Sequence, residues 1–161
     1  MPAKKKFPYK TAVVACNGCT SVQEAASCAW GCIGCGACEQ ACPFGAITRN
    51  INGAAEVQEE KCKGCGLCAK SCPRGIIHLL TCADHITVRC SNRDTGITAR
   101  DACGTSCIGC RACERICTAA AIHVQDGCAV INTEYCLSCG MCVVKCPRGA
   151  IVDRRGIINR K

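Results

Sequence analysis

Large side chains are scarce in this chain of 161 residues, which has one Trp, two Tyr, two Phe and two Met. So small a supply of bulky apolar groups excludes a conventional core for a domain of this length. No run approaches the roughly 18–20 apolar residues that span a bilayer. No apolar segment follows Met1-Pro2-Ala3-Lys4-Lys5-Lys6, so neither a membrane helix nor a secretory signal is expected. GxGxxG, phosphate-loop, flavin and nucleophile–base patterns are missing as well, and no catalytic site of its own is expected. Acidic residues are the minority, 12 against 20 Lys and Arg. What the chain has instead is cysteine, 23 residues of it. Without a leader, the expected compartment is the reducing cytoplasm, where thiols stay free for metal rather than pairing as disulfides.

Sixteen of these cysteines fall into four copies of Cys-x2-Cys-x2-Cys-x3-Cys. The runs are Cys32-Cys35-Cys38-Cys42, Cys62-Cys65-Cys68-Cys72, Cys107-Cys110-Cys113-Cys117 and Cys136-Cys139-Cys142-Cys146. This is the bacterial ferredoxin spacing, in which three thiolates of one run hold a [4Fe–4S] cube and the fourth ligates the neighbouring cube. The ligand sets therefore cross. Cys32, Cys35 and Cys38 join Cys72, and Cys62, Cys65 and Cys68 join Cys42. Cys107, Cys110 and Cys113 join Cys146, and Cys136, Cys139 and Cys142 join Cys117. Zinc binding in an interaction or nucleic-acid module is the alternative, and metal storage a third reading. The crossed spacing and the Cys-Pro ends of three runs argue against zinc, and the strand and hairpin signals argue against storage. Inorganic clusters would stand in for the missing core, and the apo chain is expected to be largely unfolded.

The intervening residues suit the task. Gly34, Gly64 and Gly109 stand before a second cysteine, and Gly36, Gly66 and Gly140 after one. Glycine lets backbone N–H groups turn toward cluster sulfurs, a recognised control on potential. Ile33, Ile108 and Leu137 can keep water off the cubes. The third run departs twice, with Thr118 where the others have proline and Arg111 in place of glycine. Drift with the cluster retained explains both. A sharper reading makes this cluster easier to reduce, through a cation and an added donor.

A repeat of about half the chain organises these runs. Cys107 follows Cys32 by 75 residues, and Cys136 follows Cys62 by 74. Ala12-Val13-Val14-Ala15-Cys16 matches Ile86-Thr87-Val88-Arg89-Cys90, and Cys28 precedes Cys32 as Cys103 precedes Cys107. Short β-type runs follow each motif at Ile47, Ile77, Ile122 and Ile151. Asn50-Ile51-Asn52-Gly53 and Asp126-Gly127 mark hairpin turns. Glu39-Gln40-Ala41 and Glu114-Arg115-Ile116 have room only for a short helical turn. The expected fold class is α+β, with two tandem bacterial-type 2[4Fe–4S] ferredoxin units of short β-hairpins and short helices around the clusters. The boundaries are a basic tail at 1–11, a first unit at 12–82 and a second at 83–161. The junction at Thr81-Cys82-Ala83-Asp84 is short, so the units should pack rather than swing.

Seven cysteines stand outside the runs. Cys128 aligns with Ala54 and reads as a small buried hydrophobe. Cys19 and Cys82 have no counterpart. Cys16, Cys28, Cys90 and Cys103 form a matched set, readable as packing residues or as an additional metal site holding a fifth cluster. His78 and His123 read as surface strand positions, His85 lies in the segment between the units without ligand spacing, and Trp30 and Phe44 read as shields for the first motif. The formal charge of +8 does not point to nucleic acid. Each oxidised site with four thiolates carries about −2, so four sites bring the sum near zero.

The order of motifs carries a resemblance. Val14-Ala15-Cys16, Cys28-Ala29-Trp30-Gly31-Cys32-Ile33-Gly34-Cys35, two ferredoxin runs, Val88-Arg89-Cys90-Ser91, Cys103 ahead of Cys107-Ile108-Gly109-Cys110 and two further runs resemble the polyferredoxin region of the B subunit of Rnf-type ferredoxin:NAD oxidoreductases. The resemblance spans about Ala12 to Val152. It implies an electron-transfer subunit of an anaerobic redox complex, relaying low-potential electrons one at a time along four [4Fe–4S] clusters. Its implied partners are a flavin- or NAD-dependent oxidoreductase subunit and a soluble ferredoxin. In that family a membrane helix and a separate cluster-binding segment precede this region, and neither stands in these residues. Direct membrane insertion is therefore not expected, while a membrane-bound complex stays open.

Overall fold

The computed structural model describes residues 9–18 and 28–158. Cys19 and Lys4 to Lys6 lie outside the described residues. Short strands and helices alternate as β1 (Lys10–Val14), α1 (Ala37–Gln40), β2 (Ile47–Arg49), β3 (Ala55–Val57), α2 (Leu67–Ser71), β4 (Ile77–Thr81), β5 (Ile86–Val88), α3 (Gly96–Ala102), α4 (Ala112–Ile116), β6 (Ile122–Gln125), β7 (Cys128–Ile131), α5 (Met141–Lys145) and β8 (Ile151–Asp153). The chain is α+β. No helix among the described residues is long and apolar enough to cross a membrane.

Two hairpins form where the turn residues predict them. β2 pairs antiparallel with β3, and Asn50 Oδ1 accepts from the N–H groups of Asn52 and Ala54, each at 3.0 Å. β6 pairs with β7, Gln125 facing Cys128. Asp126 and Gly127 both have positive φ, 47° and 79°, as a two-residue turn matched to strand twist requires. Two further pairings carry no local turn signal. β1 runs antiparallel to β4, from Lys10 opposite Thr81 to Val14 opposite Ile77. β5 runs antiparallel to β8, from Ile86 opposite Asp153 to Val88 opposite Ile151. The first strand therefore starts at Lys10, ahead of the residue 12 expected for the first unit. Lys10 and Thr11 have partners in β4, and Thr11 is fully buried.

Two apolar clusters lie behind the strands. The first gathers Ala12, Val14, Ala46, Ile47, Ala55, Ile76 and Ile77 with Cys38, Cys62 and Cys68. The second gathers Ile86, Ile122, Ala129, Val143, Ala150 and Ile151 with Cys113 and Cys146. Neither contains an aromatic ring, so sulfur supplies bulk that rings supply elsewhere. Each strand after a motif starts at a buried isoleucine, Ile47, Ile77, Ile122 or Ile151.

Contacts tie the halves together across Thr81–Asp84. Arg154, at the end of β8, donates to Glu59 Oε1 at 2.9 Å, to the carbonyls of Thr81 and Asp84 at 3.1 Å, and to Thr11 Oγ1. Ser91 Oγ donates to the Ala15 carbonyl at 2.7 Å, and Asn17 Nδ2 to that of Gly149 at 3.0 Å. Trp30 donates to Asp94 at 3.1 Å and lies under the Arg93 guanidinium. It bridges the halves more than it shields a motif.

Candidate cluster-binding sites

Each run folds around two backbone positions that L-residues rarely adopt. Two residues after the first cysteine, Gly34, Gly64, Gly109 and Ser138 have φ of 65°, 68°, 64° and 52°. Four residues after it, Gly36, Gly66, Arg111 and Gly140 have φ of 77°, 79°, 59° and 74°, and each starts a short helix without a side-chain cap. A third such position follows the last cysteine, at Gly45, Gly75, Ala120 and Gly149. There the N–H donates back to the carbonyl of Cys42, Cys72, Cys117 or Cys146 at 3.2–3.4 Å. The turn forms with Thr118 as it does with the prolines, so this carbonyl bond is enough to set it.

These turns lead cysteines from two runs to one place. Cys32, Cys35, Cys38 and Cys72 line one small cavity with Ile33, Ile76 and Ile77. Cys42, Cys62, Cys65 and Cys68 line a second with Phe44 and Leu79. Cys107, Cys110, Cys113 and Cys146 line a third with Ile108 and Ala129. In each, three cysteines come from one run and the fourth from its neighbour. Cys117, Cys136 and Cys142 pack against the second apolar cluster, and Cys139 is exposed. Ile33 and Leu137 are 50% and 74% exposed, so they cover their sites only in part.

Backbone donors face the sulfurs. Gly34 and Ala55 N–H groups donate to Cys32 Sγ, both at 3.4 Å. Ala12 N–H donates to Cys62 at 3.3 Å, Ala46 to Cys42 at 3.4 Å and Ala121 to Cys117 at 3.4 Å. Donors of this kind hold a thiolate in place and offset its charge. A four-sulfur wall with such donors fits a [4Fe–4S] cluster. Among the described residues no three His, Cys, Asp or Glu side chains are grouped to hold a single metal ion. Burial pushes the thiols of Cys38 and Cys68 up from their ordinary value. It pushes Cys113 up to about 11, helped by Cys107, and Cys142 up to about 12, helped by Cys136, Cys113 and Cys139. These sulfurs stay protonated near neutrality until a cation replaces the proton.

Residues 31–76 match the family described as 4Fe-4S dicluster domain. Residues 104–120 and 129–152 each match one described as 4Fe-4S binding domain. The chain is 43% identical over 124 residues to the B subunit of the ion-translocating oxidoreductase complex of Methanosarcina acetivorans, over 77% of this chain and 47% of that one. This is a 4Fe–4S ferredoxin-type protein, related to Rnf-type B subunits. Two further relatives agree. The B subunit of the Na(+)-translocating ferredoxin:NAD(+) oxidoreductase complex of Acetobacterium woodii is 39% identical over 77% of this chain and 37% of its own length. The proton-translocating counterpart of Clostridium ljungdahlii is 36% identical over 78% and 45%. This ferredoxin-type chain thus spans less than half the length of the curated relatives it matches, and multiple [4Fe–4S] clusters are its cofactors.

The cysteines outside the runs divide. Cys16 and Cys28 meet at Gly31, where an added Cβ would lie 3.5 Å and 3.4 Å from their sulfurs. Cys16 Sγ accepts from Cys32 N–H at 3.5 Å, as Cys90 Sγ accepts from Cys107 N–H at 3.2 Å. Burial raises the Cys16 thiol. Asn92, buried between the halves, donates its side-chain amide to Cys28 Sγ at 3.8 Å and its N–H to Cys90 Sγ at 3.4 Å. Cys103 Sγ lies 3.5 Å from Thr105 Oγ1, and Cys82 donates its N–H to the Tyr9 carbonyl. Cys128 is buried as expected, and its thiol donates to the Cys90 carbonyl at 3.3 Å.

Of the histidines, His78 is exposed, and His123 Nδ1 lies 3.2 Å from Glu114 Oε1 on the surface. Phe44 lines the second cavity.

Proposed function

We propose that this chain is an electron relay, two tandem 2[4Fe–4S] ferredoxin units near 12–82 and 83–161 that hold four clusters in the crossed sets given above. It would act within an anaerobic redox complex on the cytoplasmic side, between a ferredoxin and a flavin- or NAD-dependent partner. The observation that carries the reading is the lining of a single cavity by cysteines of two separate runs. The names of the relatives supply the class of partner. A bound [4Fe–4S] cluster supplies reversible one-electron storage. The chain's own residues do the rest. Sixteen sulfurs grip, and N–H groups such as those of Ala12, Gly34 and Ala55 offset charge on the sulfurs. Apolar neighbours such as Ile77 and Ile151 exclude water. The crossing makes each half a single closed loop, so that releasing one fourth ligand loosens both its sites.

Anaerobic purification with iron and sulfide counts tests this reading. About 16 iron atoms per chain, at four per cube, and a brown colour bleached by dithionite are expected. About 20 would mean that Cys16, Cys28, Cys90 and Cys103 hold a fifth cluster. A colourless zinc protein would contradict the relay.

A further inference from the structure

The four cysteine runs share one backbone plan, and the second differs from the rest in charge. The residue after the first cysteine is Ile33, Ile108 or Leu137 in three runs and Lys63 in the second. The residue before that cysteine is Gly31, Ser106 or Tyr135, against Lys61. Two residues after the third cysteine stand Gln40, Arg115 and Val144, against Lys70. Lys10 adds a fourth charge from β1, since a Cβ on Gly64 would lie 3.3 Å from Lys10 Cβ. Its counterpart in the second half, Asp84, turns to Thr81 instead and accepts from the Thr81 N–H at 2.9 Å and hydroxyl at 2.7 Å. All four lysines are exposed, and none is ion-paired with a described residue. Of the acids beside them in sequence, Glu59 is held by Arg154 at 2.9 Å, and Glu60 recurs as Glu134 in the last run.

Cluster charge does not account for these lysines. The run at Cys136 offers four cysteines as well, yet its matching positions are Tyr135, Leu137 and Val144, 62%, 74% and 55% exposed. Its Lys145 stands where the second run has Ser71. The lysines surround a place where an electron can cross. Cys65 is exposed at the edge of its cavity, which Lys63 and Phe44 also line. Leu67 is 44% exposed and lies three residues from Lys70 on α2, hence on the same side of the helix. An apolar centre with a polar rim is the anatomy of a protein interface. A basic rim selects an acidic partner and speeds its encounter.

We propose that the face around Cys65, rimmed by Lys10, Lys61, Lys63 and Lys70, docks a small acidic electron-carrier protein, whose electrons enter at the site of Cys42, Cys62, Cys65 and Cys68. The inference rests on the relay reading and assigns the ferredoxin of that reading to one face. Each encounter moves one electron. The carrier's cluster core passes from 1+ to 2+ and the core beside Cys65 from 2+ to 1+, with no proton transferred and no bond broken. Nucleic acid and anionic lipid would meet the same charges but bring no redox centre to Cys65.

The test uses the loaded chain without oxygen and a purified acidic 2[4Fe–4S] ferredoxin as probe. Affinity is read by biolayer interferometry from low to high salt. Carbodiimide cross-linking, which joins lysines to carboxylates, is mapped by mass spectrometry. The wild-type chain should bind at low salt and release as salt rises. Lys63→Ile with Lys70→Gln installs the residues of the first run. With full iron this variant should bind about tenfold more weakly, through slower association. Cross-links should fall on Lys10, Lys61, Lys63 or Lys70. Unchanged affinity in the fully loaded variant overturns the proposal, as do cross-links confined to other lysines such as Lys145 or Lys4 to Lys6. Should the variant lose iron, the wild-type cross-link map decides. A loaded chain that binds no ferredoxin also overturns it, whether or not duplex DNA or phosphatidylglycerol vesicles bind through the same lysines. Failure of the relay reading looks different, because the wild-type chain itself would then lack iron.

Discussion

The first half places glycine at the six left-handed positions of its cluster loops, Gly34, Gly36, Gly45, Gly64, Gly66 and Gly75. The second half uses Gly109, Gly140 and Gly149 but also Arg111, Ala120 and Ser138, in the same backbone conformation. Identical conformation from different residues means that the site, rather than the residue, dictates the backbone. What surrounds each position decides where a side chain is tolerated. A Cβ at Gly45, Gly75 or Gly149 would meet nothing within 4 Å, and Ala120 occupies the matching place. At Gly36 only side-chain ends of Arg49 and Glu39 approach, at 4.0 Å, and Arg111 stands in its equivalent. At Gly34 a Cβ would sit 2.6 Å from the Gly53 carbonyl oxygen, and at Gly64 it would strike the Lys10 carbonyl. Ser138 replaces Gly64 in the half whose first strand starts at Ile86 and pairs three residues with β8, against the five that β1 pairs with β4.

The comparison can be broken most severely at the fourth ligands. Cys42→Ser in the first half and Cys117→Ser in the second should each remove about four iron atoms, on four per cube. Loss should extend to the hairpin behind the site, read by iron count and far-UV circular dichroism. Equal losses in both variants would show that the halves share one ligand plan. Stripping all iron with a chelator should unfold most of the chain, because the two cores are built from cysteine and small aliphatic residues.

Next in size is glycine replacement. Gly34→Ala should prevent stable loading of the first site, since the Gly53 backbone carbonyl cannot retreat without opening the β2–β3 turn. Gly45→Ala should cost only about 1 kcal/mol, the left-handed penalty alone. Thermal melts of the loaded variants separate the two, and equal destabilisation would refute the crowding argument.

Proton competition should differ in degree between pH values. Loading needs thiolates, and in the largely unfolded apo chain the cysteines are mostly protonated at pH 7, so iron uptake should tighten as pH rises from 7 to 9. In the folded sites burial raises the Cys113 and Cys142 thiols further, to about 11 and about 12, so acid should release iron as protons return. Uptake independent of pH would contradict thiolate ligation. The smallest effects belong to reversions in the second half. Ala120→Gly and Arg111→Gly should each stabilise by up to about 1 kcal/mol, offset in part by greater freedom of the unfolded chain.

Much of this was legible in the sequence because it is local. Spacing alone proposed the cysteine ligands, Asp126-Gly127 and Asn50 to Gly53 named the hairpins, and the isoleucine after each motif named a strand start. Pairing of β1 with β4 and of β5 with β8 was not, because its partners lie far apart in the chain with no connecting turn. Helix α3 was missed for a related reason. Gly96 to Ala102 lacks a side-chain cap and buries only Ala99 and Ala102, so its pattern is faint. Arg154 reads as a surface charge until Glu59, Thr81 and Thr11 are seen to converge on it. Cys128 reads as one small buried residue among many until its thiol is seen to donate to the Cys90 carbonyl.

The crossed ligand plan is tested most directly by locating iron. An anomalous-scattering map from crystals grown without oxygen should place four iron clusters in the chain. Each should be bound by the first three cysteines of one run and the last cysteine of its neighbour, as with Cys32, Cys35, Cys38 and Cys72. Clusters closed by the fourth cysteine of their own run, or a folded chain without iron, would contradict the account.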